Sequence, residues 1–181
     1  MKKTVVIYES KYGYTKRYAE WISESLSCPL FERKSIRPEE LDAYDTIIYG
    51  GGLYAGGVSG IKFLTRHYPQ IRSKNILIFT CGLADPGDPF NTKQIQTALT
   101  KVFSPEMQDK IRVFHLRGGI DYSRLTPVHK AMMAMLRRML LKKPESSIRK
   151  EDQGILDTYG KAVDFTDRET ILPLVRYASS L

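Results

Sequence analysis

The chain has 181 residues, 42% of them hydrophobic and 27% charged, enough for a sizeable core in a single domain. No run is long and apolar enough to span a bilayer, and Met1-Lys2-Lys3 leads straight into a strand pattern, so no signal peptide is expected. Cys28 and Cys81 are therefore expected to be reduced and the protein cytoplasmic. His67, His115 and His129 fall in different predicted elements and make no metal-ligand spacing, so no metal is expected. The net charge of +8 points to an anionic partner, whether an acidic protein, an anionic substrate, nucleic acid or a membrane surface, or else to a merely solvated basic surface. No motif marks a specific nucleic-acid site.

Residues 4–8 form a β-branched and aromatic run, the composition of a buried strand. A small polar loop follows, and Tyr18, Ala19, Ile22 and Leu26 then share one helical face. Strand, hydroxyl-and-glycine loop and helix make a phosphate-binding arrangement, because loop amides and the positive end of the helix dipole converge there. Ser10 and Thr15 add hydroxyls, and Gly13 lets backbone approach an anion. The plainer reading is a strand-to-helix turn capped by Ser10 or Thr15.

A second strand is expected at residues 30–32, a helical turn at 38–41 and a third strand at 46–49. The loop after it, residues 50–57, is dense in glycine, so backbone there can approach a flat ligand. Gly52, Leu53, Tyr54, Ala55 and Gly56 are its candidate contacts. Tyr54 is placed to stack on an aromatic ring system and Leu53 to cover another part of it. Ile61 and Leu64 suggest a helix that ends before Pro69. Residues 76–79 are a continuous apolar run, typical of a strand covered on both faces.

A third loop, residues 80–88, offers Cys81, Gly82, Leu83 and Asp85 to the polar edge of such a ring. Turn chemistry explains Asp85-Pro86-Gly87-Asp88 equally well. Cys81 reads more readily as a packed residue than as a redox centre. Ile95, Ala98, Leu99 and Val102 give a helical stripe, and residues 111–116 a fifth strand in which His115 is expected to make a local hydrogen bond. Five strands alternating with helices imply a parallel α/β sheet.

A surplus segment, about 118–164, precedes the last helix. Thr126-Pro127 opens a helix through about Leu141, with Val128, Met132, Met135, Leu136 and Met139 near one face. Lys130, Arg137 and Arg138 lie on the other side, with Lys142 near that edge, and no acid occurs between Asp121 and Glu145. Such a helix packs on its own domain or docks to an anionic membrane surface. Ile171, Leu174, Val175 and Ala178 mark the last helix. Pro173 is harmless there if Thr170 caps it, while Thr166 with Glu169 is a competing capping box.

Ser10-Lys11-Tyr12-Gly13-Tyr14-Thr15 resembles the flavodoxin-family phosphate loop, Thr/Ser-x-Thr/Ser-Gly-x-Thr. Tyr12 departs from it, bulky where a short hydroxyl is usual. Lys11 and Tyr12 are more similar to one branch, the menaquinone-dependent protoporphyrinogen oxidases. The resemblance covers residues 1–116 as core, and that branch also carries a basic helix-bearing insertion. It implies a flavodoxin-like doubly wound five-stranded parallel sheet in the order 2-1-3-4-5, with a helical insertion before the last helix. That order makes the three loops neighbours in one crevice. It also implies noncovalent FMN bound by Ser10 to Thr15 and by the second and third loops. Electron-shuttle flavodoxins are typically acidic, and the basic charge disagrees with that role.

The expected function is an FMN-dependent oxidoreductase of the protoporphyrinogen and quinone type. The alternative is a non-enzymatic carrier docking to redox proteins. The flavin does the electron chemistry in either case, so no catalytic residue can be named from sequence. Peripheral contact with the inner face of a membrane, through helix 128–141, is part of the first expectation.

Overall fold

The computed structural model describes residues 3–54 and 56–181. In chain order the elements are β1 (Thr4–Glu9), α1 (Tyr14–Leu26), β2 (Leu30–Glu32), β3 (Thr46–Tyr54), β4 (Gly57–Val58), α2 (Ile61–Ile71), β5 (Asn75–Gly82), α3 (Pro89–Thr100), α4 (Pro105–Lys110), β6 (Arg112–Arg117), β7 (Gly119–Asp121), α5 (Pro127–Leu140), α6 (Lys150–Thr158), β8 (Ala162–Asp164) and α7 (Leu172–Ser180). The chain divides into two compact units, residues 1–118 with 166–181, and residues 119–165.

In the first unit the parallel strands run in the order β2-β1-β3-β5-β6, the doubly wound arrangement the sequence implies, and β4 pairs antiparallel with β3. Alternate side chains of each strand point to opposite faces. Val5, Ile7, Ile47, Tyr49, Ile76 and Ile78 pack with Phe63, Leu64 and Ile71 of α2 and Leu99 of α3. Val6, Ile48, Leu77 and Phe79 pack on the other face with Tyr18, Ala19 and Ile22 of α1 and Leu174 of α7. Both faces are therefore covered, which is why the strands read as continuous apolar runs. Each fully buried side chain of this size contributes about 1.5–3 kcal/mol.

Several boundaries differ from the sequence reading. β3 and β5 run on through residues expected to be loop, because Gly50, Gly51 and Gly52 pair in register with Phe79, Thr80 and Cys81. α2 does not end before Pro69: it continues to Ile71, with the proline in its last turns, where buried Tyr68 and Ile71 supply packing that offsets a lost backbone bond. Pro173 sits in the first turn of α7, but neither Thr170 nor Thr166 is its cap. Asp167 caps the preceding 3-10 turn (Arg168–Ile171), accepting from the Glu169 amide at 2.9 Å.

Tyr18 of α1 is fully buried within the first unit. Its buried hydroxyl donates to the Arg117 carbonyl at 2.7 Å and accepts from the Asp167 amide at 3.1 Å. The two ends of the first unit's chain, where it leaves and where it returns, thus share one phenol.

The second unit carries a β7–β8 antiparallel pair and helices α5 and α6. Tyr122 and Tyr159 lie 4.9 Å apart, and the Arg137 guanidinium is 5.0 Å from the Tyr159 ring centre. Asp152, in the first turn of α6, is buried and accepts from Lys143 Nζ at 2.9 Å and the Arg149 amide at 3.2 Å. Thr126 caps α5 as its position before Pro127 implies. Leu140 is buried and Met133 and Leu136 half-buried, whereas Val128, Met132, Met135 and Met139 are exposed, Val128 to 68% and Met135 to 63%. Leu136 therefore leaves the stripe assigned to it, since it lies roughly 80° around the helix from Val128.

Candidate functional site

Three strand ends, β1, β3 and β5, lie side by side, and their following segments meet at the carboxyl edge of the sheet. The first loop joins β1 to α1. Gly13 is the helix N-cap, with φ +98°, a left-handed conformation that favours glycine. Its amide donates to Ser10 Oγ at 3.1 Å. Neither Ser10 nor Thr15 occupies the cap position, and no side chain caps α1 there. Thr15 is buried, Ser10, Tyr12 and Tyr14 are half-buried, and Lys11 is exposed.

The second segment is the β3–β4 hairpin. Its Gly52 bears directly on the first loop: a Cβ there would meet the Tyr54 ring at 2.8 Å and Thr15 Oγ1 at 3.3 Å. The half-buried Tyr54 folds back over Gly52, 6.1 Å from the Tyr12 ring. Burial pushes the Tyr54 phenol up to about 12, helped by neighbouring Tyr12 and Cys81 and opposed by a hydrogen bond with the Lys11 backbone. Ala55 lies outside the described residues, and Gly56 is exposed.

The third segment begins within β5. Leu53 of the hairpin packs on Gly82, where a Cβ would meet Leu53 Cδ1 at 2.7 Å. Cys81 is buried. The Leu83 carbonyl accepts from Arg117 Nε at 3.2 Å. Asp85 is exposed, accepts from the Gly87 amide at 2.8 Å and lies 3.7 Å from the Arg117 guanidinium. Asp88 caps α3 through the Phe90 amide. His115 makes its local bond, with Thr80 Oγ1 at 2.8 Å, and burial holds its pKa below the ordinary value.

So Thr15, Gly52, Tyr54, Leu53, Gly82 and Cys81 form one connected surface, with Tyr12 against Tyr54. Sequence reasoning missed Gly118, whose amide donates to the Gly82 carbonyl at 2.7 Å and where a Cβ would meet Cys81 Sγ at 2.8 Å and Tyr14 Cβ at 3.3 Å. It also missed Arg117. The Gly118-Gly119 pair directly after the fifth strand was the available signal. Among the described residues no cluster of metal-ligating side chains occurs, and no helix is long and apolar enough to cross a membrane.

Compared with protein-family models, the chain matches the Flavodoxin domain over residues 5–147. The chain belongs to the flavodoxin family. No curated protein matches it. Among solved structures this flavodoxin-family chain is similar to oxidised Flavodoxin 2 from Bacillus cereus, at 20% identity over 64% of this chain and 84% of that one, TM-score 0.44. It is similar to a flavoprotein in complex with FMN from Lactobacillus acidophilus NCFM, at 17% identity over 65% and 93%, TM-score 0.44. It is also similar to an apo NADH:FMN oxidoreductase, at 16% identity over 65% and 76%, TM-score 0.46.

FMN is the cofactor that membership in the flavodoxin family implies, and the residues present fit it. The space around Gly13 is open, with nothing within 4 Å of where a side chain would start. The first turn of α1 directs amides that have no intrahelical acceptor toward that space. Beside it stand a buried hydroxyl, Thr15, and a tyrosine ring, as a phosphate with an attached aromatic system requires.

Proposed function

We propose that this chain is an FMN-dependent oxidoreductase of the quinone-linked type, resembling the menaquinone-dependent protoporphyrinogen oxidases. The reading is carried by two features held by one chain: a three-loop flavodoxin crevice and a basic, partly apolar arm. When bound, FMN supplies the electron transfer. Ser10, Gly13, Tyr14 and Thr15 hold its phosphate, with Lys11 and Tyr12 at the same loop. Leu53, Tyr54, Gly82, Leu83 and Asp85 take the ring side, and Gly52, Gly56 and Cys81 complete the wall.

A quinone acceptor resides in a bilayer, so the reading includes peripheral contact with an anionic membrane surface through helix 128–141. The exposure of Val128, Met132, Met135 and Met139 supports this, as does the exposure of Lys130, Arg137, Arg138 and Lys142. Such a stripe is a ridge along one helix, and a bilayer interface accepts a convex apolar ridge without a matching groove.

Anaerobic turnover of FMN-loaded protein with protoporphyrinogen and quinones tests the reading. Substrate-dependent flavin reduction followed by reoxidation with quinone is expected. No reduction by any organic substrate, together with rapid exchange with redox proteins, would instead establish an electron carrier. That rival draws on the family match itself, the Flavodoxin domain over residues 5–147.

A further inference from the structure

The hairpin that carries Leu53 and Tyr54 is fastened from beneath by residues outside the three loops. Tyr49, in the middle of β3, is fully buried, and its hydroxyl donates to the Ser59 carbonyl at 3.0 Å. The Ser59 amide in turn donates to the Gly52 carbonyl at 2.8 Å. Gly60, next in the chain, has φ +69°. It lies so close to the Tyr49 hydroxyl and the Glu9 carboxylate that a Cβ would overlap both. Glu9 is the last residue of β1, directly before the first loop.

A buried phenol is costly to leave without an acceptor for its hydroxyl. Here the acceptor is a carbonyl on the hairpin's return arm, so the rigidity of the packed β3 is passed to a segment that faces the cofactor site. Burial, and then the Glu9 carboxylate, push the Tyr49 phenol above its ordinary pKa, so it stays a donor well into alkaline solution.

We propose that Tyr49 is a positioning residue that sets the ring-facing hairpin, fixing Leu53 and Tyr54 for the flavin without taking part in phosphate binding. This rests on the FMN reading of the three loops. A hairpin already held in place loses less freedom when the ring docks on it, and that preorganisation strengthens binding.

The test is Tyr49→Phe, which keeps the ring and removes the hydroxyl. FMN and riboflavin should each bind roughly fivefold more weakly, by the same factor, as expected for one neutral hydrogen bond. The visible circular dichroism and midpoint potential of bound flavin should shift. Gly60→Ala, which forces the return arm away from both Tyr49 and Glu9, should weaken both flavins too, and amide exchange at Ser59, faster in Tyr49→Phe while the β3 amides stay protected, is the second measurement. Thr15→Val is the contrast, weakening FMN much more than riboflavin. Wild-type affinities for both flavins with an unchanged visible spectrum, in either folded variant, overturn the proposal. Loss confined to FMN also overturns it, since Tyr49 would then serve the phosphate loop. If the wild-type protein binds no flavin, the FMN reading itself fails, a result distinct from either.

Discussion

Thr15 is the buried hydroxyl at the first loop, next to Gly52 and just inside α1. Thr15→Val keeps its shape and removes the hydroxyl that the proposed function assigns to the FMN phosphate. We expect FMN affinity to fall by about 1.5–3 kcal/mol, the range for a hydrogen bond to a charged group. Calorimetry that finds no loss would reduce Thr15 to a packing residue. Tyr54 should behave differently: Tyr54→Ala should weaken FMN and riboflavin alike and move the flavin potential, and potentiometric titration of the bound flavin measures that shift. The turn from β1 into α1 at residues 10–15 was legible because its pattern is local, one loop whose parts are neighbours in sequence. Gly118, Arg117 and the Tyr49–Ser59–Gly60 fastening were not, because each acts across strands far apart in sequence, and no pattern of periodicity records such a contact. Asp167 was missed for a simpler reason: Thr166 and Thr170 flank it, and hydroxyl caps were weighed ahead of it.

Among elements, α5 carries the sharpest expectation. The protein should sediment with anionic vesicles and not with neutral ones, and salt should reverse this, since each basic residue near an anionic surface adds about 1 kcal/mol. Changing Lys130, Arg137, Arg138 and Lys142 to Gln should abolish it. Protein that stays in the supernatant at low salt would point to an acidic protein partner. In α6 the carboxyl of Asp152 gives a pH dependence. Burial alone would raise its pKa, but Lys143 and Arg149 outweigh that and hold it below the ordinary value. A carboxyl depressed by folding stabilises above the unfolded value, about 4, and that stabilisation is lost as pH falls through the folded value. Amide exchange within α6 should therefore accelerate below about pH 4 before the sheet strands respond, and Asp152→Asn should remove the dependence. The helical and strand patterns were legible wherever core packing imposes a period. α2 was cut short at Pro69 because propensity was given more weight than the buried Tyr68 and Ile71 beyond and beside it. The exposed side of α5 was only half legible: apolar spacing identifies a stripe, but nothing local says whether it turns inward.

For the whole molecule, the division at residues 118 and 166 predicts that the sheet unit stands alone. Replacing residues 119–165 with a short glycine-rich linker should leave FMN affinity within a few-fold of wild type while removing vesicle binding. A truncated protein that unfolds, read by far-ultraviolet circular dichroism and thermal melting, would show that the arm is part of the core. The net charge of +8 was legible at once, and so was its concentration here: Lys130, Arg137 and Arg138 lie exposed on α5, and Lys142 just beyond its end.

The Tyr18 hydroxyl bears on how such an arm can exist at all. Arg117 and Asp167 are brought to one phenol by bonds within the sheet unit. The cost of closing a long excursion is mostly the cost of bringing its ends together, and doubling its length adds only about 0.6 kcal/mol. With the ends already clasped, whatever hangs between them can lengthen, shorten or change its chemistry while the strands keep their register. The sheet is in that sense a socket. A different arm fitted between Arg117 and Asp167 would leave the sheet and its three loops as they are.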